Sequence, residues 1–192
     1  MVRIVFMLKK IPKIVKREGV KGVFVRVLQK LHLLNAKADP LELFKFIMDD
    51  KIIPMNKEAY KKHKDDEVKV LNWIIPEMGE GSGGHTTIFR FISNLEKRGF
   101  HSRIYLFRSP RFMDNKTVRK FVKSAFPILD GNVEVYCDVK YAKFAHVTFA
   151  TSWDTAYFVR NFENTISKFY FVQDFEPYFY AHGSEYQLAE NT

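Results

Sequence analysis

VKVLNWIIPEMGEGSGGH, residues 68–85, is the stretch from which the architecture follows. Val68–Ile75 is a nearly continuous apolar run, the pattern of a parallel strand buried on both faces. A glycine-rich loop follows from Pro76. The apolar spacing then predicts a helix from about His85 to Arg98, closed by Gly99. Strand, glycine loop and helix in that order make the first unit of a parallel α/β sheet.

The same alternation continues downstream. Strands are expected at Arg103–Phe107, Val133–Tyr136, His146–Ala150 and Phe169–Val172. Helices are expected near Asn115–Phe126, over Trp153–Phe162 and from Ser184 onward. This predicts a doubly wound, Rossmann-like parallel sheet flanked by helices over residues 67–192. The chain ends at Leu188–Thr192 inside a helical pattern, which reads as a truncation.

Upstream the character changes. Residues 1–66 read as a basic, amphipathic helical extension. Val20, Phe24, Val27, Leu28, Leu31 and Leu34 form one apolar face, with Lys21, Arg26 and Lys30 off it. Asp39-Pro40 opens a second helix through Leu41 and Ile47. The charged run Lys61–Glu67 marks the boundary with the lobe.

The protein's charge of +9 is unevenly placed. Residues 1–34 hold nine cations against Glu18 alone, which is +8, and leave +1 for the remainder. A basic arm on a near-neutral body argues against nucleic acid as a partner and for an anionic membrane surface. No apolar run of about 18 residues exists, so no membrane-spanning helix is expected. Met1–Leu8 is interrupted by Lys9 and Lys10 too early for a secretory segment. Cys137 stands alone, which suits a reducing, cytoplasmic compartment. The expected location is therefore the cytoplasmic side of the membrane, peripherally attached.

Open parallel sheets bind ligands beyond the carboxyl ends of their strands, and three unusual segments fall there. In Pro76–Thr87 the glycines allow backbone N–H groups to approach an anion at a helix amino end. Gly79, Gly81 and Gly84 also fit a dinucleotide fingerprint. Its ribose-binding acid is missing at the end of the second strand, where Arg108 and Ser109 stand, so an NADP-linked oxidoreductase remains an alternative. A flexible turn with His85 and Thr86 as caps is the plainer reading. In Ala150–Thr155, Ser152 suits a helix N-cap and Asp154 its first turn, while Trp153 beside a carboxylate suits a ligand wall. In Gln173–Tyr180, Asp174 and Glu176 stand among aromatic residues that include Tyr178. Carboxylates can accept sugar hydroxyls, and rings can cover the C–H faces of a sugar.

These three segments resemble, in order, the amino-terminal domain of the rhamnosyltransferases that build S-layer and cell-surface rhamnan glycans. Those enzymes belong to glycosyltransferase family 4 and have the GT-B fold. The resemblance covers about residues 68–192. It implies a retaining, metal-independent transferase without a resident cofactor, using a nucleotide-sugar such as dTDP-L-rhamnose and a saccharide or lipid-linked glycan acceptor. It places Gly83 and Gly84 near the donor diphosphate and His85 beside the transferred sugar. Asp154, Asp174 and Glu176 line the acceptor side, with Trp153 and Tyr178 as its rings; His85, Asp154 and Asp174 form the implied catalytic set. The 192 residues lack the carboxyl-terminal lobe that carries most nucleotide contacts in this fold. A non-catalytic, membrane-peripheral sugar-binding domain is the remaining alternative.

Overall fold

The computed structural model describes residues 51–129 and 132–192, together with Val15, Val20, Val23, Phe24, Lys45, Ile47 and Met48. Those seven are helical. The rest of the expected amino-terminal helices lies outside the described residues. Five strands, β1 (Val70–Ile75), β2 (His101–Leu106), β3 (Glu134–Tyr136), β4 (Ala145–Ala150) and β5 (Thr165–Tyr170), form one sheet in the order β3-β2-β1-β4-β5. Every pairing is parallel. The helices are α1 (Lys57–His63), α2 (Gly83–Glu96), α3 (Asn115–Ala125), α4 (Trp153–Asn161) and α5 (Ser184–Glu190). Among the described residues no helix is long and apolar enough to cross a membrane.

Alternation along β1 divides its side chains between two cores. Leu71, Trp73 and Ile75 meet Ile88 and Phe89 of α2 and Phe121 of α3 on one face. Ile74 meets Ala156 and Val159 of α4 on the other. Burying each such side chain contributes about 1.5–3 kcal/mol, so β1 is the most strongly held strand. Trp73 lies flat on Phe149 of β4, 4.2 Å between ring centroids. The helices start and stop where the sequence provides caps. Asp114 accepts the Thr117 N–H at 2.8 Å ahead of α3, and Gly99 takes φ 86° just after α2.

The strand expected at Phe169–Val172 instead runs Thr165–Tyr170. Its first half is polar because its polar groups find partners. Thr148 donates to Thr165 (2.9 Å), and the Lys168 ammonium donates to the carbonyls of Ile53 (3.1 Å) and Arg160 (2.7 Å). The outer edge of β5 is screened by the segment after Lys51, where the Asn56 N–H bonds to the Ile166 carbonyl at 3.1 Å. Screening of this kind keeps an edge strand from pairing with another chain.

The charged run around residue 65 is anchored to the amino ends of β1 and β4. Lys69 donates to the carbonyls of Lys64 (2.7 Å) and Asp66 (2.6 Å), and the His146 ring reaches the Asp66 carboxylate at 3.2 Å.

Glu134 organises the α4-side face of β2 and β3, gathering Tyr136, His101 (2.9 Å) and Arg103 (3.0 Å). Burial alone would raise its carboxyl, but these hydrogen bonds hold it well below the usual range. With the folded pKa depressed, this stabilisation is complete above the unfolded value of about 4.3 and is lost as the pH falls below it. Urea denaturation between about pH 6 and 3 should therefore show wild-type stability falling more steeply than that of Glu134→Gln. Equal slopes would remove Glu134 from the acid response.

Candidate functional site

Sheet order reverses at β1, whose neighbours β2 and β4 lead the chain in opposite directions. The crevice beyond β1 and β4 is therefore the place where a ligand can enter. A cavity of about 450 Å3 opens there, between Pro76 and Thr151 at the two strand ends. Its walls are Trp153, Phe179 and Tyr180, with the carboxylates Asp154, Glu176 and Glu185 and the guanidinium of Arg108. Arg108 holds φ 52°, a left-handed backbone that is strained for a residue with a side chain. Such strain tends to be kept at binding sites.

The glycine loop leaves β1 on one side of the crevice. Its root is fixed by Glu77, which accepts from Ser109 Oγ (2.9 Å) and the Arg111 N–H (3.2 Å), while Arg111 also donates to the Met78 carbonyl (2.7 Å). Gly81 turns the loop with φ 77°. Ser82 caps α2: its carbonyl accepts the Thr86 N–H at 3.0 Å, and its hydroxyl lies 2.7 Å from His85 Nδ1. The first turn of α2 contains no acidic residue of its own. A side chain at Gly83 would meet open space, and one at Gly84 would meet only the Gln173 amide at 3.4 Å. The positively polarised start of α2 is thus open at Gly83 and faces only a neutral amide at Gly84.

The other side is built differently. The first turn of α4 is closed by the chain's own carboxylates. Glu176 Oε2 accepts the Trp153 N–H at 2.9 Å, and Asp154 Oδ1 accepts from Ser152 Oγ (2.5 Å) and the Thr155 N–H (2.9 Å). Glu176 Oε1 also accepts the Tyr170 hydroxyl at 3.0 Å. Burial raises the Glu176 carboxyl, and the charges of Asp154 and Asp174 add to that, against the bonds from Trp153 and Tyr170. The Trp153 indole donates to the Tyr180 hydroxyl at 2.8 Å.

Of the residues singled out in the sequence, Trp153, Asp154 and Glu176 meet in the cavity. Gly83, Gly84 and His85 stand across the crevice on α2. The His85 ring packs against Phe89 and Phe126, with centroids 6.3 and 6.5 Å away. Burial lowers its pKa, partly offset by the Pro76 carbonyl, so the ring is neutral at pH 7. Asp174 is exposed and accepts the N–H of Phe175 (2.8 Å). Tyr178, 77% exposed, stacks edge-on with Phe175; neither Asp174 nor Tyr178 lines the cavity. Tyr180 and Glu185 fall in and just after the third segment but were not picked from it; they line the cavity because the chain after β5 folds back through a one-turn 3-10 helix at Glu176–Phe179. Arg108 had a visible signal in its place at the end of the second strand.

His63, Asp66 and His146 also converge, but at the opposite end of the sheet. The Val70 N–H donates to His146 Nδ1 at 2.9 Å, so Nε2 carries the ring hydrogen toward Asp66. The trio is a hydrogen-bonded clamp between the α1 turn and the sheet.

Over 129 residues, 65% of this chain, the sequence is 32% identical to the O-antigen biosynthesis protein RfbC of Myxococcus xanthus. The matched stretch spans only 10% of that protein's length. No family model and no solved structure matches the chain.

The glycine conformations separate the turn-making Gly81 from Gly83 and Gly84, where a Cβ would meet no clash. Gly81→Ala should cost about 1–2 kcal/mol in urea denaturation, because its φ is left-handed. Gly83→Ala and Gly84→Ala should stay within about 0.5 kcal/mol of wild type. A large loss at Gly83 or Gly84 would show that they serve the fold.

Proposed function

We propose that this lobe is the acceptor-side half of a retaining glycosyltransferase that moves rhamnose from dTDP-L-rhamnose to a saccharide or lipid-linked glycan acceptor of a cell-surface polysaccharide. The observation that carries this reading is the contrast across the crevice. The α2 end is open to an anion, whereas the α4 end is already neutralised and borders a cavity of rings and carboxylates. A nucleotide-sugar carries its negative charge on the diphosphate, which suits the backbone N–H groups at Gly83 and Gly84. A neutral sugar acceptor suits the cavity: Trp153, Phe179 and Tyr180 cover its C–H faces, and Asp154 Oδ2 accepts a hydroxyl. Asp174 and Tyr178 extend the acceptor side at the rim. His85, held neutral, borders the transferred sugar and orients it rather than taking a proton. The similarity to an O-antigen biosynthesis protein supports the polysaccharide setting.

The full chain should bind dTDP-L-rhamnose in calorimetry and transfer rhamnose to a saccharide acceptor. Asp154→Asn keeps an oxygen for Ser152 and Thr155, so the fold should hold. Loss of a charged hydrogen bond, about 1.5–3 kcal/mol, should lower kcat/KM roughly 10- to 100-fold. Full activity in this variant, or tight NADPH binding without affinity for the nucleotide-sugar, would overturn the reading.

We also propose that residues 1–34 hold the protein on the inner face of the membrane. Val20 and Phe24 are helical yet 73% and 63% exposed, an apolar surface beside concentrated positive charge. Each engaged cation contributes on the order of 1 kcal/mol at an anionic surface. Co-sedimentation should occur with anionic but not neutral vesicles, weaken with salt, and vanish when residues 1–34 are deleted. Undiminished sedimentation of the deletion variant would remove the arm from the mechanism.

A further inference from the structure

Trp153 is the largest ring in the cavity wall, and one loop grips it at two points. Its backbone N–H donates to Glu176 Oε2 at 2.9 Å, and its indole N–H donates to the Tyr180 hydroxyl at 2.8 Å. Glu176 and Tyr180 flank the one-turn helix Glu176–Phe179, whose Pro177 is buried. Glu176 has no freedom to turn toward a ligand, because its second oxygen takes the Tyr170 hydroxyl at the end of β5, 3.0 Å away. The carboxylate thus spans three elements: the loop that carries it, the end of β5 and the first turn of α4.

Its position also completes the α4 cap. Ser152 occupies the N-cap in a capping box with Thr155, and its hydroxyl also meets Asp154 Oδ1 at 2.5 Å. An N-cap side chain serves the N–H of the second or third helical residue, so the N–H of Trp153, the first residue of α4, needs another acceptor, and Glu176 provides it. A carboxylate on a helix amino end adds charge–dipole attraction to the hydrogen bond. Asp154 Oδ2 makes no hydrogen bond among the described residues, so it is the carboxylate oxygen free for a ligand.

Resting on the acceptor-lobe reading above, we infer that Glu176 is a positioning residue, which seats the Trp153–Tyr180 wall of the cavity by closing the amino end of α4 and does not itself contact the acceptor. Burial of its carboxyl and its two protein partners agree with this role. The groups facing it, Asp154, Asp174, Glu185, Arg108, Tyr170 and Tyr180, leave Asp154 to meet the ligand.

The two tryptophans allow a direct test. Trp73 is fully buried, so acrylamide quenching of fluorescence in the full chain reports mainly on Trp153. In Glu176→Ala the quenching constant should rise severalfold and acceptor KM about tenfold, with kcat and donor KM within twofold. Glu176→Gln keeps an oxygen for the Trp153 N–H and should restore both quenching and acceptor KM to near wild type. Tyr180→Phe, which frees the indole N–H, should give an intermediate quenching constant. The inference is overturned if Glu176→Gln is as impaired as Glu176→Ala while its tryptophan stays protected, since the charge would then act on the ligand. It is equally overturned if Glu176→Ala leaves quenching unchanged. Should wild type transfer no sugar at all, the acceptor-lobe reading fails, and the quenching series still decides the grip. If Glu176→Ala does not fold, Glu176→Gln and Tyr180→Phe carry the same decision.

Discussion

Burial of β1 on both faces is the constraint from which the rest follows. A strand with Leu71, Trp73 and Ile75 on one side and Ile74 on the other needs a helical layer on each. Flanking it with β2 and β4 sends the chain outward in two directions. The two crossovers that begin at the ends of β1 and β4 then lie on opposite faces, and their first turns, α2 and α4, are left facing one another across a gap. The crevice is thus a geometric result of doubly covering one strand.

Two helix amino ends at one crevice would ordinarily make one broad anion site. Here the sequence separates them. Ser82 caps α2 with a neutral hydroxyl and carbonyl, whereas α4 receives Glu176 and Asp154. Helix-end polarisation is worth about 0.3–1 kcal/mol in exposed positions and up to about 2 when partly buried. A carboxylate supplied at one end and absent from the first turn of the other leaves the two helix ends with different electrostatic character. Gln173, over Gly84, adds a neutral amide to the α2 side rather than a charge.

The sheet was legible in the sequence because its signals are local. Apolar runs, a capping Ser82, a closing Gly99 and alternating helices and strands each depend on neighbours a few residues away. β5 was misplaced because its signal is tertiary. Thr165, Ser167 and Lys168 look unlike a strand until Thr148 and the carbonyls of Ile53 and Arg160 are brought to them. The site divided in the same way. Trp153, Asp154 and Glu176 could be picked from composition around a strand end, but the difference between Glu176 and Asp174 could not. One carboxylate is drawn inward beneath Pro177 and the other stays in solvent, and only the fold of the returning loop distinguishes them. The resemblance to family 4 transferases placed all these residues on one cleft. In the structure Gly83, Gly84 and His85 begin α2, while Trp153, Asp154 and Glu176 line a cavity and Asp174 and Tyr178 stand outside it.

The polar character of β5 has a purpose beyond its edge position. Everything on the cavity side of the returning loop hangs from the last residue of β5, since Tyr170 holds Glu176 and Glu176 holds Trp153. A slip of one residue would send Tyr170 to the opposite face of the sheet and release that chain of contacts. Apolar side chains specify an edge-strand register weakly, because one apolar residue replaces another at little cost. Hydrogen bonds do not slide in that way: the Thr148–Thr165 pair and the two carbonyl contacts of Lys168 are satisfied in one register only. Displacing the buried Thr148–Thr165 pair would leave a donor and an acceptor unpaired, at about 1–3 kcal/mol each. The residues that hid β5 from a sequence reading are thus the ones that fix its register, and through it the wall of the cavity.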